Sequence, residues 1–260
     1  MGTRQTRTID LNADVGEADD PMARQVELDL IGVVSTVHVA CGGHAGDAAS
    51  MRRVISAAAG AGVEVGAHPS YPDRVGFGRR AVALSTAELS ASLAAQIGDL
   101  QDAAAQAHVS VVSVKPHGAL YSAVAQGGPA CAALLEAMAA TCAPGTSVVL
   151  QPKSPAQPLL TDAGYRVVSE GFCDRAYNAD GTLMERTRAG SLYADPEAAV
   201  TQALSLALES AVAASDGTIL DCAVDTLCIH GDSPGALAMA LAVRQALSAA
   251  GVVVAPGVHT

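Results

Sequence analysis

The sequence predicts an α/β protein: a (β/α) barrel-like fold of about seven parallel strands with outer helices. Three observations predict it. Short Val/Ile-rich runs alternate about seven times with longer Ala/Leu-rich runs of helical period, the texture of a parallel sheet with covering helices. No G-x-G-x-x-G fingerprint of an open dinucleotide-binding sheet is present, which favours closure. No Pro/Ser/Gly-rich linker divides the 260 residues, so residues 1–260 read as one domain, with 1–7 a flexible tail.

The elements follow in order. Residues 8–12 and 33–40 are expected strands, and 48–61 a helix closed by Gly62 as its C′ residue. Residues 63–66 form the third strand. Ser85 and Glu88 make a capping box that opens a helix, whose apolar face is Leu89, Leu93, Ile97 and Leu100. A strand at 111–114 and a helix at 129–141 come next, then strands at 147–150 and 166–169 joined by a short helical piece at 156–163. Asp195-Pro196 is an N-cap with Pro at N1, opening a helix to about residue 213. Residues 225–229 are a strand, Ser233-Pro234 repeats the cap signal, and Gly251 closes the last helix before an apolar run at 252–254.

Composition bounds the function. Half the residues are apolar and only 3 % aromatic, with no Trp, so the core is built of Ala, Val and Leu. Lys+Arg total 15 against 26 Asp+Glu, a net charge of −11, which argues against a nucleic-acid partner. No apolar run reaches the length of a membrane helix. The six cysteines form no C-x-x-C pair and read as free thiols. The start, Met1-Gly2-Thr3-Arg4-Gln5-Thr6, loosely matches an N-myristoylation pattern but reads as a polar tail, and the expected location is the cytoplasm.

The chemistry collects where strands end. Asn12, Asp14 and Glu17 follow the first strand; Cys41, His44 and Asp47 the second; His68 the third; Lys115 and His117 the fourth. Glu170 follows the strand at 166–169, and His230 and Asp232 the strand at 225–229. Five of the seven His, counting His38 within a strand, and one of only two Lys lie in these segments. In a parallel barrel all strand C-termini open on one face, so the pattern brings acids, imidazoles and one ammonium to a single mouth. The loop at 69–80 carries Arg74, Arg79 and Arg80. It reads either as a lid that clamps an anion or as a solvated basic turn. The segment at 171–188, with Arg175, looks similar. Asp14, His44, Asp47 and His68 are of types that bind a divalent metal, although Asp47 is equally a helix N-cap. Neither a G-x-x-x-x-G-K-[ST] phosphate loop nor a G-x-S-x-G elbow is present.

Five stretches in order then carry a family resemblance: residues 10–17, 40–47, 66–69 with 76–80, 114–121 and 229–232. They resemble the LamB/YcsF family, the A subunit of bacterial ATP-dependent 5-oxoprolinase, over residues 9–251. The resemblance implies a barrel akin to those of glycoside hydrolases and deacetylases. It also implies opening of the 5-oxoproline lactam to glutamate, with ATP as co-substrate and subunits B and C as partners. The sequence departs from the family pattern at Ala13, His38, Gly43 and residues 233–235, and follows it poorly over residues 18–30.

A lactam resists water because resonance weakens its carbonyl, and phosphorylation of the amide oxygen would remove that protection. On this reading Asp14 or His68 is the base, and His117 or Glu170 the acid that protonates the ring nitrogen. Lys115 and Arg79 are cations for the substrate carboxylate or the phosphorylated oxygen. Asn12, His44, Arg80, Arg175, His230 and Asp232 complete a substrate-binding set. Two alternatives stay open: a metal-dependent amidohydrolase or deacetylase on a similar barrel, and a non-catalytic substrate-binding subunit.

Overall fold

The computed structural model describes residues 7–233 and 235–257. The N-terminal pattern Met1–Thr6 and Pro234 of the cap signal lie outside the described residues.

Seven strands run parallel around a closed barrel. They are β1 (Arg7–Val15), β2 (Thr36–Ala40), β3 (Glu64–His68), β4 (Val111–Val114), β5 (Ser147–Leu150), β6 (Val167–Phe172) and, after a hairpin of β7 (Ala211–Ala213) and β8 (Ile219–Asp221), β9 (Thr226–His230). Closure comes from β1, which pairs with β2 through Asn12–Val15 and with β9 through Asp10–Asp14. A last strand, β10 (Val252–Val254), pairs in parallel with Arg7–Ile9 at the opposite end of β1 from the mouth.

Helices α1 (Pro21–Ile31), α2 (Ala48–Ala61), α3 (Thr86–Gln106), α4 (Gly118–Ala125), α5 (Gly128–Thr141), α6 (Gln157–Asp162), α7 (Pro196–Leu204) and α8 (Ala236–Ala249) cover the outside. Some of their starts and stops are those the sequence marks, but α8 is not capped by Ser233: its N-cap is Gly235, and Ser233 Oγ donates to Asp174. The Ser85–Glu88 capping box opens α3, and Gly62 ends α2 in the left-handed region at φ 68°. Leu89, Leu93, Ile97 and Leu100 are all buried, each contributing about 1.5–3 kcal/mol of transfer free energy.

Two helices went unread in the sequence and one expectation needs correction. Helix α1 follows directly on β1: Asp20 accepts from Met22 N and Ala23 N, with Pro21 at N1. Helix α4 has no side-chain cap to announce it. The helix from Pro196 does not reach residue 213. It ends in a π-turn at Ser205–Glu209, Ser210 turns left-handed at φ 54°, and the chain becomes the β7–β8 hairpin around Asp216-Gly217.

The strands alternate. Leu11, Ala13, Val15, Val37, Val39, Val65, Ala67, Leu227 and Ile229 belong to the apolar layer under the helices. Asp10, Asn12, Asp14, Thr36, His38, Ser113, Glu170 and Thr226 are also buried, and they bond to one another across the axis. The bore of this barrel is therefore polar, where barrel interiors are more often filled with branched aliphatics. Gly66 permits the layer at His38, because a Cβ there would stand 2.3 Å from Ser113 Oγ and 2.5 Å from His38 Cδ2. All six cysteines carry free thiols. Among the described residues no helix is long and apolar enough to cross a membrane.

Candidate active site

Period-two alternation stacks Asp10, Asn12 and Asp14 up the inner side of β1. At the bottom, Asp10 accepts from Ser35 Oγ (2.6 Å), Thr36 Oγ1 (2.8 Å) and Thr226 Oγ1 (2.5 Å). In the middle, Asn12 Nδ2 donates to Thr226 Oγ1 (2.7 Å) and Glu170 Oε1 (3.1 Å). At the top, Asp14 lies in register with His38 of β2 and His230 of β9.

Lys115 reaches inward to this column from the end of β4 and is only 2 % exposed. Its Nζ lies 2.9 Å from Asp14 Oδ1, 2.7 Å from Glu170 Oε1, 3.3 Å from Asn12 Oδ1 and 3.2 Å from Cys228 Sγ. Burial opposes the ammonium, but Asp14 and Glu170 outweigh it and hold the Lys115 pKa well above its ordinary value. Burial likewise opposes the Asp14 carboxylate, yet His68 and Lys115 bring its pKa well below the usual range. Glu170 is lifted by burial, with Lys115 pulling the other way. The firm ion pair is thus Asp14–Lys115.

Beside it, three imidazoles and a carboxylate converge from four loops. His68 Nδ1 lies 2.7 Å from Lys115 O, and His117 Nε2 lies 2.9 Å from Phe77 O. The facing nitrogens, His68 Nε2 and His117 Nδ1, are 3.0 Å apart. His44 stacks flat on His117 at 3.7 Å and directs Nε2 to Glu17 Oε1 at 2.8 Å. Burial depresses all three imidazoles, His44 to about 3 and His117 to about 4, with Asp14 pulling each the other way. Burial, with Asp14 and Asp232 near, pushes Glu17 up to about 7. Gly78, at φ 62°, brings the 69–80 loop against this cluster; a Cβ there would meet His44 Cβ at 2.9 Å.

His230 forms a second unit. Its Nδ1 is 2.9 Å from Oδ1 of the buried Asp174, which also accepts from Ser233 Oγ (2.8 Å) and from His230 N (3.2 Å). The ring stacks on Phe172, with centroids 5.4 Å apart. Burial works against the Asp174 carboxylate, but His230 and Ser233 bring its pKa below the ordinary value.

Above these groups lies a cavity of about 410 Å³. Asp14, His68, Lys115, His117 and His230 line it on the barrel side; Arg79, Arg175 and Arg186 line it from the loops. Asp232 ties the rim together, accepting from Arg79 Nη2 (2.5 Å) and Arg186 Nη1 (2.7 Å).

Of the thirteen expected residues seven line the cavity, His44 stacks on His117, Asp232 holds the rim arginines, and four lie elsewhere. Asp47 caps α2, accepting from Ala49 N and Ser50 N on the exposed surface, and stands outside both clusters of ligand-type residues. Arg80 pairs with Asp73 through Nε at 2.9 Å and does not line the cavity. Asn12 and Glu170 lie beneath Lys115 rather than on the cavity wall. The loop at 69–80 is a basic turn whose arginines stay exposed yet paired: Arg79 with Asp232, Arg80 with Asp73, and Arg74 donating to Gly42 O and Gly46 O, while Gly78 O accepts from Ala119 N. Sequence reasoning assigned no role to Glu17, His38, Asp174, Arg186 or Cys228. The alternation Asp10-Leu11-Asn12-Ala13-Asp14-Val15 was a signal for the polar bore.

Among the described residues two groups of ligand-type side chains have donor atoms that all lie within 4.8 Å of one another: Glu17, His44, His68 and His117, and Asp14, Cys228 and His230.

Comparison with known proteins bears on this site. The model of the LamB/YcsF family matches residues 9–260. The 5-oxoprolinase A subunit of Mycobacterium avium is 45 % identical over 244 residues, covering 94 % of this chain and 96 % of that protein. The 5-oxoprolinase A subunit of Chloroflexus aggregans is 43 % identical, covering 95 % and 98 %. The crystal structure of a lactam utilization protein from Thermus thermophilus superposes with a TM-score of 0.86 at 40 % identity, covering 95 % of this chain and 99 % of that one.

Proposed function

Because this chain belongs to the LamB/YcsF family, we propose that it is the lactam-opening subunit of an ATP-dependent 5-oxoprolinase. It would act with B and C subunits that supply the ATP-coupled activation. One observation carries the reading beyond the family: a cavity of about 410 Å³ with a buried ammonium and imidazoles on its floor and three guanidiniums on its wall. That volume suits a small molecule, and the cations suit an anionic one.

The chemistry divides among the groups present. Arg79, Arg175 and Arg186 are placed for the substrate carboxylate. Asp14, Glu170, Asn12 and Cys228 take up the N–H bonds of Lys115, so it acts through its charge, stabilising negative charge that develops on the carbonyl oxygen. Asp14 serves Lys115 as counter-ion. With its pKa held low it is a weak base, so the proton-moving role passes to His230. Asp174 fixes the His230 ring with Nδ1 as the hydrogen-bonded nitrogen, leaving Nε2 to take a proton from water and return one to the departing ring nitrogen. Glu170 lies off the cavity wall, beneath Lys115, and so is not placed to protonate the ring nitrogen directly.

The test measures glutamate release and ATP loss with this chain alone, with both partner subunits, and with each component omitted. Glutamate formation is expected only when all are present. An undiminished rate without this chain overturns the reading.

A further inference from the structure

His68 Nδ1 and His117 Nε2 each face a backbone carbonyl, that of Lys115 at 2.7 Å and that of Phe77 at 2.9 Å. A carbonyl only accepts, so these two nitrogens carry the ring protons. The other two, His68 Nε2 and His117 Nδ1, are then bare in the neutral rings and face each other across 3.0 Å. Two lone pairs at that distance repel unless a positive centre stands beside them. Two carboxylates face the same point, Asp14 Oδ2 at 3.4 Å from His68 Nε2 and Glu17 Oε1 at 3.5 Å from His117 Nδ1, so the place suits a centre of more than one positive charge. His44 Nε2 and Glu17 Oε1, 2.8 Å apart, complete a pocket of donors: the same Glu17 oxygen is 3.5 Å from His117 Nδ1 and 3.9 Å from His68 Nε2.

We propose that Glu17, His44, His68 and His117 bind one divalent transition-metal ion of the zinc class. Three imidazole nitrogens and one carboxylate oxygen are a zinc-type donor set; calcium and magnesium take oxygen ligands. The spacing agrees. Ligands about 2.0–2.2 Å from a tetrahedral centre stand about 3.4 Å from one another, and the four separations given among these four residues lie on both sides of that value. Because His44 and His117 lie parallel at 3.7 Å and His117 is held by Phe77 O, the His44 ring, whose Nδ1 has no partner, turns to direct its lone pair at the ion. The carbonyls of Lys115 and Phe77 supply the outer hydrogen bonds that hold ligating imidazoles in the right tautomer. His68 and His117 also line the cavity, so a small molecule in it would reach the ion. Any catalytic use of the ion rests on the lactam-opening reading, but its binding does not.

Binding is measured on the full chain without substrate. After chelator treatment and dialysis, Co2+ is titrated in while its visible absorption is followed, and Zn2+ is then used to compete. One equivalent of Co2+ with four-coordinate absorption, displaced by Zn2+, is the expected result. His117→Gln and His44→Gln are each expected to weaken binding by about 10-fold or more. Zn2+ should raise the melting temperature of the wild type and much less that of the variants; metal-free melting confirms that each variant folds. Absence of saturable binding overturns the proposal. So does affinity unchanged in both variants, or affinity lost only in Cys228→Ser, which would place the ion in the neighbouring group. Because no turnover is read, failure of metal binding and failure of the lactam reading are separate results.

Discussion

Replacing Lys115 by methionine tests the charge balance on the barrel axis. The ammonium is 2 % exposed and stands 2.9 Å from Asp14 Oδ1 and 2.7 Å from Glu170 Oε1. At an effective dielectric of about 20, each such pair attracts by about 6 kcal/mol, most of which offsets the desolvation of the charges. Methionine fills a similar length and removes the charge, leaving Asp14 and Glu170 uncompensated in a dry interior. The expected loss is about 3–5 kcal/mol. Urea unfolding at pH 7 reads it as a lower midpoint at unchanged slope. Adding Glu170→Gln to Lys115→Met removes one stranded carboxylate. The double variant is expected to regain at least about 1 kcal/mol over the single one. A Lys115→Met protein within about 1 kcal/mol of wild type would refute the reasoning, as would a double variant less stable than the single.

Two further outcomes follow from the same geometry. Asp174 has a folded pKa below its ordinary 3.8, so the unfolded chain binds its proton first as pH falls; the stability it contributes is full above about pH 4 and is lost as pH drops through the folded value. Asp174→Asn should therefore flatten the loss of stability between pH 5 and pH 2.5 relative to wild type, as read by urea unfolding at each pH, and an unchanged slope in that window counts against the pairing with His230. Gly78→Ala puts a side chain at φ 62° with its Cβ 2.9 Å from His44 Cβ, and about 1–2 kcal/mol of stability should be lost in thermal or urea unfolding; a neutral substitution would mean that the loop gives way.

The parts of the site legible in the sequence were those that sit at strand ends among Gly and Pro. Asp14, His68, Lys115, His117 and His230 were found that way because a parallel barrel forces strand ends to one face. Asp174 escaped because its meaning depends on His230, 56 residues away. Arg186 escaped because only its contact with Asp232, 46 residues on, brings it to the rim. Arg80 looked equivalent to Arg79 in sequence, and only the turn that hands it to Asp73 separates the two. Helix α1 was overlooked although Asp20-Pro21 repeats the signal of Asp195-Pro196. The β7–β8 hairpin hid in an Ala-rich run whose period alone does not reveal the break at Ser210. Gly43 is held to glycine by its neighbours, since a Cβ would stand 2.3 Å from Gln96 Oε1 and 2.5 Å from Ser70 Oγ.

The polar bore has a consequence for where activity can be altered. Asp10, at the far end of the barrel, is joined to the cavity end by an unbroken series: Thr226 donates to Asp10 and accepts from Asn12, and Asn12 in turn accepts from Lys115. A substitution that changes the charge of Asp10 shifts the electrostatic potential at the Lys115 ammonium without touching anything a substrate could reach. Variants selected for altered turnover should therefore arise at the base of this barrel as well as around its rim, and the buried hydroxyls of Ser35, Thr36 and Thr226 are the positions to watch.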